Sequence, residues 1–148
     1  MTYCSINDIE AVIPADDLVQ LTNDNGGDTI DTTKIDEAIN YVTNIINGYI
    51  RGRYALPLAG VPEELKFLAV DFVVFRLYSR RIHTEVPESV VEKYRNVIKT
   101  LELVQKGQFN LGIESSSAFK NPGLKTNKDT SPSSVNRFYD EKKWDNYG

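Results

Sequence analysis

Cysteine is almost missing from this chain: Cys4 stands alone among 148 residues, which excludes an internal disulfide and any multi-cysteine metal site. Histidine is equally scarce, with His83 alone. A hydrolase built on that residue would need a nucleophile and an orienting acid converging on it in space. Beside Arg80 and Arg81, at an expected helix end, a lone histidine more often meets terminal carbonyls or solvent. A glycine-rich phosphate loop is lacking, and no stretch approaches the roughly 18 apolar residues of a membrane span. The N-terminus MTYCSINDIE has neither a basic segment nor an apolar one after it. These absences predict a soluble, non-secreted protein of a reducing compartment, with no membrane, metal or cofactor and no enzymatic activity.

What is present is ordinary in amount and uneven in placement. Hydrophobic residues make up 41% and charged residues 26%, values at which a chain of this length folds around one core without a second domain. Residues 1–114 carry 11 Lys/Arg against 17 Asp/Glu, a net of −6, whereas residues 115–148 carry 6 against 4, a net of +2. An acidic body argues against gripping duplex DNA, because phosphate binding runs on Lys and Arg.

Apolar spacing reads as helix throughout the body. Ser5 and Asp8 form a capping-box variant ahead of Ile6, Ile9 and Val12 or Ile13, and Pro14 interrupts. Leu18 and Leu21 mark a second short helix that gives way to the turn-rich run Asn23–Asp28. From Thr32 or Thr33, the residues Ile35, Ala38, Ile39, Val42, Ile45, Ile46, Tyr49 and Ile50 follow a 3.6-residue period. That helix must end before Leu56–Pro57. Pro62 suits the first turn of the next helix, which is apolar nearly all round from Phe67 to Phe75 and is therefore expected to be innermost or to face a neighbouring subunit. Pro87 restarts the chain, and Val90, Val91, Tyr94, Val97, Ile98, Leu101 and Val104 define a last helix that Gly107 ends. The expected fold is all-α: a small bundle of about four helices, built from two short N-terminal segments and three longer ones, with an extended C-terminal arm.

Candidate chemistry is thin. Asn23, Asn25, Gly27, Ile30 and Asp31 have the alternation of a calcium loop, but Asp28 falls where glycine is wanted and Lys34 where a bidentate glutamate should be. A polar loop followed by a helix cap is the expected reading. Asp16–Asp17 and Glu63–Glu64 sit in first helical turns, where acids are favoured by the helix dipole alone. Arg51, Arg53, Arg76, Arg80 and Arg81 are the basic concentration of the body, candidates for pairing with acids on a neighbouring subunit.

Taken in series, Leu21–Thr22, the Asn/Asp/Gly loop, Ile30–Asp31, a helix carrying Ile46-Asn47-Gly48-Tyr49, then Arg53-Tyr54-Ala55-Leu56-Pro57-Leu58 and Val61–Pro62, followed by an apolar helix with Asp71 and Arg76-Leu77-Tyr78, resemble the Mu-like phage connector family. The resemblance covers roughly residues 1–112, with Asn23 and Asn25 where the family usually has Asp. It implies a head-tail adaptor in the neck of a tailed-phage virion, made in the host cytoplasm. Such adaptors sit beneath the portal as a ring, here expected to have twelve copies, and receive the stopper or tail below. Genomic DNA would pass through the lumen without sequence-specific binding. Asp16, Asp17, Asp24, Asp28 and Asp31 are then candidates to face that channel or a subunit boundary. The alternatives are a tail-terminator of the same neck, a stopper, for which a strand-rich chain is expected, and a helical interaction or regulatory module outside any virion.

Two regions follow: a helical connector domain over residues 1–114 and an arm over residues 115–148. The arm shows neither helical nor strand periodicity, being marked by Ser115-Ser116-Ser117, Asn121-Pro122-Gly123 and Ser131-Pro132-Ser133-Ser134. It ends in Phe138, Tyr139, Trp144 and Tyr147, large anchors of the kind by which a short tail holds a partner.

Overall fold

The computed structural model describes residues 1–81, 83 and 85–114. Five helices follow in order: α1 (Ile6–Glu10), α2 (Ala15–Thr22), α3 (Thr32–Ile50), α4 (Glu63–Ser79) and α5 (Glu88–Lys106). Among the described residues no strand occurs, in line with the all-α expectation. The expected arm and its four candidate anchors, Phe138, Tyr139, Trp144 and Tyr147, lie outside the described residues.

Each boundary has a local cause. The carboxylate of Asp8 accepts from the Ser5 backbone N–H at 2.9 Å and from the Ser5 hydroxyl at 2.7 Å, which fixes the start of α1. Asp31 caps α3 by accepting from Thr33 N–H at 3.0 Å, satisfying a donor that no helical carbonyl can reach. Proline precedes three helices, at Pro14, Pro62 and Pro87. Pro62 occupies the cap rather than the first turn, and α3 stops at Ile50, ahead of Leu56–Pro57. Gly107 ends α5 at φ 77°, a left-handed conformation that glycine adopts without a Cβ penalty.

The three long helices form the bundle. Leu65, Ala69, Val70, Phe72, Val73, Val74 and Leu77 are buried over more than half the circumference of α4, which packs against each of the other four helices. It is the innermost helix. α3 and α5 bury one face each, through Ile35, Ile39, Val42, Ile46 and Ile50 and through Val97, Leu101 and Val104. Phe75 stacks on Tyr94 with ring centroids 3.9 Å apart and planes 7° from parallel, so the end of α4 lies beside the start of α5. At the opposite end of the bundle, Tyr54 after α3 meets Asn110 and the Leu111 N–H after α5, at 3.3 and 3.1 Å. α3 and α5 therefore run in one direction and α4 against them. α1 and α2 pack on α3 and α4, adding Ile9, Ile13, Leu18 and Leu21 to the core.

Candidate functional site

The polar chemistry of the body gathers where α4 ends and α3 begins. Thr22 closes α2 with its hydroxyl donating to Leu18 O at 2.7 Å and accepting from Asp31 N–H at 3.1 Å, which ties both ends of the intervening loop together. Within that loop the Asn23 carboxamide oxygen accepts from the N–H groups of Asn25 and Gly27, at 2.9 and 3.2 Å, and its nitrogen donates to Thr29 O at 3.0 Å. The side chain that resembled a calcium ligand is spent on the backbone of its own turn. Among the described residues no group of three His, Cys, Asp or Glu side chains is placed to hold a metal ion.

Two arginines fasten this loop to the bundle. Arg80 donates to both oxygens of Asp24, at 2.9 and 2.5 Å, and to Leu21 O at 2.8 Å. Arg81 donates to Asn23 O at 2.6 Å and lies 3.4 Å from Asp24 Oδ1. A fork-to-carboxylate pair of this kind is directional as well as charged. The Arg80 guanidinium holds the Asp24 carboxyl below its usual range, and Asp24 in turn raises Arg80. Beside this clamp, an open cleft of about 690 Å³ is lined by Asp16, Val19, Gln20, Gly27, Asp28 and Arg81.

The remaining candidates scatter. Asp16 and Asp17 are exposed on the first turn of α2, and Asp28 is exposed in the loop, whereas Asp31 is the α3 cap. Arg51 is exposed at the end of α3, and half-buried Arg53 packs its guanidinium where a Cβ on Gly107 would sit. Arg76 lies over the Tyr41 ring, 4.3 Å from its centroid. His83 is exposed. Burial pushes the Cys4 thiol up to about 11, with the nearby Asp8 charge adding to the shift and Lys66 opposing it, so the thiol stays protonated at neutral pH.

Three features escaped the sequence reading. Tyr41 lies off the apolar stripe of α3 and is 45% exposed. Lys66 pairs with Asp8 at 2.6 Å, joining α4 to α1. Phe67 is 65% exposed, the one large apolar side chain of α4 that is. Only Tyr41 left a signal, as a large residue outside its helix's periodic positions.

Fold and site together define an all-α protein of three long and two short helices, with a loop clamped by arginines across the bundle. The chain belongs to the Bacteriophage Mu Gp36 family, whose model matches residues 3–127. It is 29% identical over 119 residues to "Gene product J" of Escherichia phage Mu, covering 80% of this chain and 82% of that protein. It is also 29% identical over 85 residues to "Mu-like prophage FluMu protein gp36" of Haemophilus influenzae, covering 57% of each. The family match corrects one boundary: it runs past residue 112, the end of the motif resemblance, and takes in residues 115–127 of the expected arm. The candidate anchors from Phe138 onward fall beyond it. Among the described residues, no helix is long and apolar enough to cross a membrane.

Proposed function

We propose that this chain is a head-to-tail connector, one copy of a ring that docks under the portal of a tailed phage and joins it to the stopper or tail. The observation that carries this reading is membership of the phage Mu Gp36 family across residues 3–127. The role is mechanical rather than catalytic, and it calls for a rigid subunit with chemically different ends. The structure supports that requirement. One end of the bundle carries the arginine-clamped loop, and the chain leaves for the arm at the other, beside Tyr54 and Asn110. The 19 residues of α3 separate the two ends by roughly 28 Å.

The net charge of −6 over residues 1–114 suits a subunit that lets DNA pass, because like charge keeps phosphate from adhering to the wall. A stopper, for which strands are expected, is disfavoured by helices throughout the described residues. In this reading the arm's terminal aromatics anchor the subunit to the portal or to a neighbouring copy, since large rings bury much area for little lost entropy. Electron microscopy of the full chain mixed with its phage's portal tests the proposal. Closed rings seated on the portal support it, and portals without added rings overturn it.

A further inference from the structure

The surface between α3 and α4 holds an arrangement that the fold does not require. Tyr41 is exposed and carries the Arg76 guanidinium over its ring face at 4.3 Å, and among the described residues Arg76 makes no ion pair with a carboxylate. A guanidinium stacked in this way has its face occupied and its orientation fixed, while its N–H edge stays open to a fork-shaped anion. Lys34, Glu37, Ala38, Leu77 and Arg80 complete a nook of about 190 Å³ around it. Part of its charge is already spent: Lys34 pairs with Glu37 at 3.3 Å, and Arg80 is engaged by Asp24. Arg76 is the cation left over.

On the other side of the α4 terminus, Asp16 and Asp17 stand exposed on the first turn of α2 and form no ion pair among the described residues. Asp17 borders a cleft with Gln20, Tyr78 and Arg81, while the Arg76 nook faces α3. Acids and nook thus occupy different flanks of one subunit. We propose that the Arg76–Tyr41 nook is a carboxylate-binding site that receives Asp16 and Asp17 of a second copy of this chain.

A contact between two different patches is heterologous, and repeated head to tail it closes a ring when the rotation permits. The inference therefore rests on the ring reading and gives it a lateral joint. A phosphodiester would present the same anionic fork, but Glu37, 64% exposed at the rim, and the negative charge of the body oppose a DNA backbone there. A second copy is itself net negative, but it brings only the Asp16–Asp17 pair to the nook, whereas a duplex carries a phosphate on each strand at every base pair.

The test is charge exchange in the full chain, read as self-association by analytical ultracentrifugation and as ring formation on the portal. R76E and the double substitution D16R/D17R should each weaken association roughly tenfold, and the two combined should recover most of it. R76K should fall between wild type and R76E, because it keeps the charge and loses the fork. Circular dichroism melting checks that each variant is folded. If wild type associates and R76E associates equally well, the inference falls and the ring reading stands. Weakening by R76E that the combined variant does not relieve also overturns it, since the occupant is then not Asp16–Asp17. Loss of binding to a 30-base-pair DNA duplex in R76E, with self-association unchanged, would assign the nook to nucleic acid instead. If wild type forms no oligomer alone or on portals, both readings fall together.

Discussion

Arg80 and Asp24, 56 residues apart in sequence, meet through two parallel N–H···O hydrogen bonds that hold the α2–α3 loop against the end of α4. Because Arg80 also donates to Leu21 O and Arg81 to Asn23 O, the pair is the centre of a small lattice rather than an isolated surface bridge. Networks of this kind fix geometry more than they add global stability.

Arg80→Ala should therefore loosen the loop and leave the bundle intact. Hydrogen exchange should speed up by roughly tenfold or more at the amides of Asn25, Gly27 and Asp31, which local turns protect, while the melting temperature moves by only about 2–3 °C. Unchanged exchange at these amides would mean that the loop holds itself without the clamp.

The join between α1 and α4 should depend on acid. Hydrogen bonds from Lys66 and Ser5 hold the Asp8 carboxyl at about 2, below its ordinary value of 3.8. A proton thus binds the unfolded chain more readily than the folded one. The stabilisation is complete above about pH 4 and is lost as pH falls toward 2. Asp24, lowered by Arg80, contributes in the same direction. Asp8→Asn should lower the melting temperature at pH 7 and flatten the decline between pH 4 and 2. A steep decline that persists in the variant would assign acid sensitivity to other carboxylates.

Burial separates two large residues that sequence alone treats alike. Leu101 on α5 is fully buried, and Leu101→Ala should cost about 2–5 kcal/mol in denaturant unfolding. Phe67 is 65% exposed, so Phe67→Ser should change stability by no more than about 0.5 kcal/mol. A large loss at Phe67 would mean that the residue is covered in the folded protein.

How much of this was legible beforehand differs by element. α3 and α5 bury one face each, so their 3.6-residue pattern stands out, and Asp31 and Gly107 mark two of their ends by chemistry that needs no tertiary context. α4 is apolar nearly all round from Phe67 to Phe75, which points to its central position but not to which of these apolar residues escapes burial; Phe67 does. The clamp was half visible. Arg76, Arg80 and Arg81 stood out as a basic concentration, yet whether each meets an acid of its own chain or of another is decided by how α4 lies against the α2–α3 loop. No local rule carries that. The Asn23 loop shows the converse, since its oxygen-rich spacing suggested a cation and its oxygen instead accepts from two N–H groups of its own turn.

The arm supplies a prediction of its own. A chain ending after Glu114 keeps every core residue found among the described residues, from Tyr3 to Leu111, so it should melt within a few degrees of the full protein. Without Phe138, Tyr139, Trp144 and Tyr147 it should bind portals at least about tenfold more weakly, as loss of buried aromatic anchors does. Wild-type affinity in the truncated chain would remove the anchoring role.

The central claim is that copies of this chain close into a ring on a portal, and class-averaged electron microscopy of full-length protein added to purified portals of its phage tests it directly. End-on views should show one added ring per portal with closed rotational symmetry, twelvefold by the family resemblance. Portals that remain bare at saturating protein, or that carry scattered single copies without rotational symmetry, would contradict it.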